Sequence, residues 1–259
     1  MIYNPVKVIN NINIYPFESI DKLLEYIANK KKILIAINAE KIFHATEKTR
    51  TIINNNIGYA DGIGAVIALK QVGCKTVKIP GCELWLKIIE QYCSYKSFYL
   101  IGGKQEVIEQ TVKKLQEQFP RINILNSRNG YFNEGEKAEL FQDIQKMKPD
   151  IVFVAMGSPK QELIMDEMLS IYPALYMGLG GSFDGYINNF VVPSFMKNNF
   201  EWFYRFLKEP RRMIRRQTRL LWSVIRLVFT HITRRNSRIN LMSAVLLITF
   251  FILNFFIIW

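Results

Sequence analysis

The stretch Asp150-Ile151-Val152-Phe153-Val154-Ala155-Met156-Gly157-Ser158-Pro159-Lys160-Gln161-Glu162 decides the fold. Ile151 to Ala155 is a continuous apolar run rich in β-branched residues, the pattern of a strand buried on both faces. Gly157 ends it. Ser158-Pro159 then predicts a helix start, with Ser158 as N-cap, Pro159 in the first helical position and Gln161 at the capping-box position. In open parallel sheets, ligands bind outside the carboxyl ends of strands, where a glycine admits close approach and helix N-termini favour anions. Lys160, Gln161 and Glu162 are more polar groups than a helix start requires. An ordinary capped strand–turn–helix would nevertheless show the same spacing.

The same grammar recurs on both sides. After a polar, mixed segment over 1–32 with a helix over 20–28, Ile33–Ile37 reads as a buried strand. Asn38-Ala39-Glu40 opens a helix after it, with Asn38 either a plain N-cap or a ligand contact. A turn over 54–58 leads to a strand end at Tyr59-Ala60. There Asp61-Gly62-Ile63-Gly64 forms a glycine-flanked acidic turn before a helix over 65–71. Loop aspartates often just satisfy backbone amides, whereas the flanking glycines favour close approach of a ligand. Phe98-Tyr99-Leu100-Ile101-Gly102-Gly103-Lys104 repeats the theme ahead of a helix over 106–119, without a GxGxxG or GKS/T phosphate loop. A strand over 122–125, a helix over 135–147 and the strand Leu175–Gly178 follow. Gly180-Gly181-Ser182-Phe183-Asp184-Gly185 then marks another ligand edge. Alternating strands and helices predict an α/β fold with a parallel sheet flanked by helices.

Charge divides the chain. Residues 205–238 hold ten arginines, one lysine and one glutamate, net +10, which leaves +2 for the rest of the overall +12. A basic segment of this kind meets nucleic acid, acidic lipid or a polyphosphate. Residues 241–259 carry no charge at all and directly follow Arg234, Arg235 and Arg238. At about 1.5 Å per residue they are just long enough to cross a hydrocarbon layer of roughly 30 Å. Spanning, interfacial and buried placements stay open. Lipid phosphates explain the arginines better than nucleic acid does, and the charge placement predicts a domain on the cytoplasmic face of the plasma membrane. The organisation expected is a core over 1–199, a basic helical appendage over 200–238 and an apolar tail helix over 239–259. Three cysteines without a CxxC pair and two distant histidines support neither a disulfide framework nor a zinc site. No cofactor is expected.

Eight stretches in order resemble the WecG/TagA/CpsF glycosyltransferases. They are Ala36-Ile37-Asn38-Ala39-Glu40-Lys41, Tyr59-Ala60-Asp61-Gly62, Pro80-Gly81-Cys82-Glu83-Leu84-Trp85 and Leu100-Ile101-Gly102-Gly103-Lys104. Asn129-Gly130-Tyr131-Phe132, Met156 to Glu162 and Gly178-Leu179-Gly180-Gly181-Ser182-Phe183-Asp184 follow. The last is Glu201-Trp202-Phe203-Tyr204-Arg205 with Pro210-Arg211-Arg212. The wording is closest to the WecG branch. The resemblance implies a Rossmann-like fold. It also implies inverting transfer, in β-1,4 linkage, of N-acetylmannosaminuronic acid from its UDP sugar to undecaprenyl-diphosphate-GlcNAc, as in enterobacterial common antigen. The TagA branch implies N-acetylmannosamine and teichoic acid instead, and a capsule pathway or an inactive, membrane-tethered scaffold is the further alternative. Whether the chain forms a homo-oligomer is left open.

Inverting transfer needs a base for the acceptor hydroxyl and a counter-charge for the departing diphosphate. The resemblance assigns the base to Asp61 and substrate contacts to Asn38, Gly62, Lys78, Gly102, Gly103, Gly157, Lys160, Gln161, Glu162, Gly180, Gly181 and Asp184. No DxD motif is present, so no metal is expected. That leaves arginine as the counter-charge, and the resemblance assigns the diphosphate to Arg205, Arg212 and Arg215, with lipid binding as their simpler role. Three positions depart from the family pattern. Ala36 replaces a common Thr, Lys78 a common Arg, and Asn188-Asn189-Phe190-Val191-Val192-Pro193-Ser194 carries Val where Arg is usual.

Overall fold

A computed structural model of the chain describes residues 6–188. The expectations for 200–238 and 239–259 fall outside these residues, as do Arg205, Arg212 and Arg215. Six strands form one sheet: β3 (Ile33–Ile37), β4 (Ile57–Ala60), β5 (Ser97–Gly102), β6 (Asn123–Arg128), β7 (Ile151–Ala155) and β8 (Leu175–Gly178). Their order is β4-β3-β8-β7-β5-β6 and every neighbouring pair is parallel. The six carboxyl ends therefore share one edge.

Period-two alternation splits the side chains into two cores. Leu34, Phe98, Leu100, Phe153 and Met177 face helices α1 (Ile20–Ile27), α5 (Gly81–Tyr92), α6 (Gln105–Gln118) and α9 (Ser182–Ile187). Ile33, Ile35, Ile37, Tyr99, Val152 and Val154 face α2 (Ala39–His44), α3 (Glu47–Asn54), α4 (Ile63–Gln71), α7 (Glu134–Met147) and α8 (Lys160–Ile171). Both faces of the sheet are covered, which is why β7 reads as an unbroken apolar run.

Three local readings need correction. Residues 1–32 contain, besides α1, an antiparallel hairpin of β1 (Lys7–Ile9) and β2 (Ile12–Ile14). Asn10 and Asn11 take φ of 48° and 62°, the positive values a two-residue hairpin turn demands. The hairpin runs on to lie beside β4, where Tyr15 N–H donates to Gly58 O at 2.8 Å. Second, Ile57 and Gly58 belong to β4 rather than to a turn, and α3 precedes them, capped by Thr46. Third, α8 starts after Pro159, and Ser158 makes no cap.

Candidate active site

Asn38, Asp61, Gly102, Met156 and Gly180 stand just inside or after the carboxyl ends of β3, β4, β5, β7 and β8, so one edge of the sheet carries nearly all the predicted residues. The edge has two halves of different construction.

The half at β3, β4 and β8 is built from side chains. Asp61 follows β4, its own N–H bonded to Ile37 O at 3.0 Å. Its Oδ1 accepts from Gly81 N–H at 2.7 Å, so the carboxylate sits on the positive end of the twelve-residue helix α5. The other oxygen has no hydrogen-bond partner among the described residues. Gly62 lies against Asn38: a methyl on Gly62 would stand 3.4 Å from Asn38 Cβ. Asn38 does cap α2, its Oδ1 accepting from Lys41 N–H at 3.0 Å. Lys78 is exposed, in the segment that Ile79 N–H ties to Ala60 O.

Lys41, to which the sequence assigns no role, ties β3 to α8. Its Nζ donates to Ala36 O at 2.9 Å and pairs with Glu162 Oε1 at 2.9 Å. The Glu162 side chain is 1 % exposed and that of Lys41 15 %. Burial would raise the Glu162 carboxyl, but the Lys41 ammonium, aided by Ser158 and Gln161, holds it below the usual glutamate range. Glu162 occupies the third helical position, from which a capping box would reach back to the N-cap amide. The N-cap is Pro159, which has no N–H, so the carboxylate turns inward instead.

Gln161 does not serve a capping box either. Its Nε2 donates to Glu162 Oε1 at 3.3 Å, and its Oε1 accepts from Gly180 N–H at 2.9 Å. Gly178 is glycine for this reason, since a Cβ there would meet Gln161 Nε2 at 2.5 Å. The amide is buried, with a partner on both its oxygen and its nitrogen, and it holds the Gly180 loop. Gly181 and Asp184 are exposed at the start of α9.

The half at β5, β6 and β7 is built from backbone. Gly102 has φ +136° and Gly103 φ +67°, and a Cβ on Gly102 would lie 2.3 Å from Ala155 O. Gly103 N–H donates to Ala155 O and Gly130 N–H to Gly103 O, which stitches the three strand ends together. Gly157, at φ +77°, borders open space. The N-termini of α6 and α8, fourteen and twelve residues long, open at this half. Lys160 is exposed, its Nζ 3.4 Å from Gly130 O and 5.4 Å from the centre of the Phe132 ring. Tyr131, 71 % exposed, stands beside it in the β6–α7 loop. Uncapped helix N-termini, a lysine and an exposed ring suit an anionic, aromatic ligand.

Among the described residues no three His, Cys, Asp or Glu side chains cluster closely enough to hold a metal, and no helix is long and apolar enough to cross a membrane. The expected anchor, 241–259, lies outside those residues.

A family model described as the glycosyl transferase WecG/TagA/CpsF family matches residues 8–238, which includes both halves of this edge and the arginines beyond it. The chain therefore belongs to the WecG/TagA/CpsF family, glycosyltransferases of cell-surface polysaccharide synthesis whose general partners are a nucleotide-sugar donor and a lipid-linked acceptor.

Proposed function

We propose that the chain transfers an N-acetylmannosamine-type sugar, N-acetylmannosaminuronic acid in the first instance, from UDP to undecaprenyl-diphosphate-GlcNAc in β-1,4 linkage with inversion. The observation that carries this reading is the Asp61 carboxylate: one oxygen fixed by Gly81 N–H at 2.7 Å, the other without a partner among the described residues, at a glycine-flanked strand end. Asp61 takes the proton of the acceptor hydroxyl. That oxygen attacks the anomeric carbon opposite the diphosphate, and the bond to the leaving oxygen breaks with its electrons passing to UDP. The open space at Gly157 and the N-termini of α6 and α8, neither of which has a side-chain cap, support binding of the donor diphosphate. In this reading Arg205, Arg212 and Arg215, inside the span of the family match, neutralise the departing charge.

The uncharged run 241–259 after a +10 segment supports anchoring to the cytoplasmic face of the plasma membrane. Deleting 241–259 is then expected to release the protein from membranes. Continued pelleting in high salt would show that the basic amphipathic segment before it suffices, through its apolar face, since salt screens its charges.

The test of the activity is UDP release by the purified chain with a panel of UDP sugars and a short-chain polyprenyl-diphosphate-GlcNAc. We expect release with UDP-N-acetylmannosaminuronic acid that depends on the acceptor and is indifferent to chelator. Release with UDP-N-acetylmannosamine alone would move the chain to the teichoic acid type of reaction. Silence with every donor and lipid acceptor would contradict the enzymatic reading.

A further inference from the structure

Two of the three buried side-chain polar atoms without a hydrogen-bond partner among the described residues belong to this edge, Glu162 Oε2 and the Tyr59 hydroxyl. The first is part of the Lys41 pair. The second has no such explanation. Tyr59 is the third residue of β4, 0 % exposed, two residues before Asp61. An unpaired buried hydroxyl is costly, and native structures rarely keep one without a purpose.

Its position is informative. A methyl built on Gly81 would stand 2.9 Å from the Tyr59 hydroxyl, 3.7 Å from Asp61 Oδ1 and 3.9 Å from Ala36 Cβ. Hydroxyl and carboxylate thus face the same side of Gly81, and glycine is the residue that leaves the space between them open. Burial pushes the Tyr59 phenol well above its ordinary range, with the Asp61 and Cys82 side chains adding to the effect. The group therefore remains a protonated donor.

We propose that Tyr59 is a positioning residue for Asp61: its hydroxyl is the second donor, beside Gly81 N–H, to which Oδ1 turns when the other oxygen takes the proton of the acceptor hydroxyl. With Oδ1 held by two donors, the reacting oxygen is aimed rather than loose. This inference rests on Asp61 as the base.

Tyr59→Phe tests it, because the ring and its packing are kept and only the unpaired hydroxyl is lost. The expected result is a kcat about 10- to 100-fold lower, the rate equivalent of one hydrogen bond to a charged group. The KM for the donor should be unchanged and the melting temperature equal to wild type or higher. Wild-type kcat in Tyr59→Phe, alongside an inactive Asp61→Asn, would overturn the role of Tyr59 and leave the base standing. Full activity in Asp61→Asn would instead remove the base itself. A melting temperature that falls together with kcat would mark the hydroxyl as structural and also overturn the proposal.

Discussion

The two halves of the sheet edge reach a ligand by opposite means. At β3, β4 and β8, side chains hold one another: Lys41 to Glu162, Glu162 to Gln161, Gln161 to the Gly180 amide, and Gly81 N–H to Asp61. At β5, β6 and β7, glycines bind the strand ends to one another through their backbone and leave the N-termini of two helices without side-chain caps. In the proposed reading the first half serves chemistry, where one carboxylate must be aimed. The second, in the same reading, serves binding, where an anion needs many weak donors and little reorganisation. The difference explains why substitutions in the two halves should fail differently.

The largest expected effect is at the ion pair. Lys41→Met leaves the Glu162 carboxylate buried without a partner and should cost about 3–5 kcal/mol, read from urea unfolding at neutral pH. Lys41→Met/Glu162→Gln should recover a substantial part of it, since no uncompensated charge then remains. The pair also carries a pH signature. Glu162 is held below its ordinary value of 4.5, so its contribution is complete above that pH and is lost as pH falls below it. Glu162→Gln should flatten the fall in stability below pH 4.5. A fall unchanged in that variant would show the carboxylate to be ordinary.

On the backbone side, Gly102→Ala should destabilise by about 3 kcal/mol, since it combines a strained φ with a clash against the Ala155 carbonyl. A neutral effect on the melting temperature would deny that the strand ends are packed this closely. Gly81→Ala is smaller, about 1–3 kcal/mol, because its methyl meets the Tyr59 hydroxyl at 2.9 Å. Tyr59→Phe in the same chain should relieve most of that cost, and additivity of the two changes would break the geometry on which Tyr59 was argued. The smallest is Gly157→Ala, about 1 kcal/mol from φ alone, as a Cβ there meets open space. Its main effect is expected on the KM for the UDP sugar, and an unchanged KM would remove Gly157 from the donor site.

Much of this was legible in the sequence because strand burial and glycine placement are local signals. The strands Ile33–Ile37, Ile151–Ala155 and Leu175–Gly178 have the bounds their apolar runs predict. The glycine-flanked Asp61 stands at a strand end as its neighbours suggested. The hairpin escaped because three-residue strands show too little alternation, and its Asn10-Asn11 turn lacks the glycine that usually signals one. The helix Glu47–Asn54 escaped because its buried Thr49, Ile52 and Ile53 form no long apolar stripe. Lys41 and Glu162 are 121 positions apart, and no spacing rule joins a lysine on one helix to a glutamate on another. The one available cue was Pro159, which deprives Glu162 of a capping partner and so requires another use for it.

The central claim is that one carboxylate, Asp61, performs the proton transfer within an edge that is otherwise built to bind and orient. Its most direct test is acceptor-dependent UDP release by Asp61→Asn beside wild type, with the melting temperature and UDP affinity of both measured. The account predicts loss of transfer by about 10³-fold or more with UDP binding retained, the size expected when a single essential group is removed. Transfer at the wild-type rate by Asp61→Asn would contradict it.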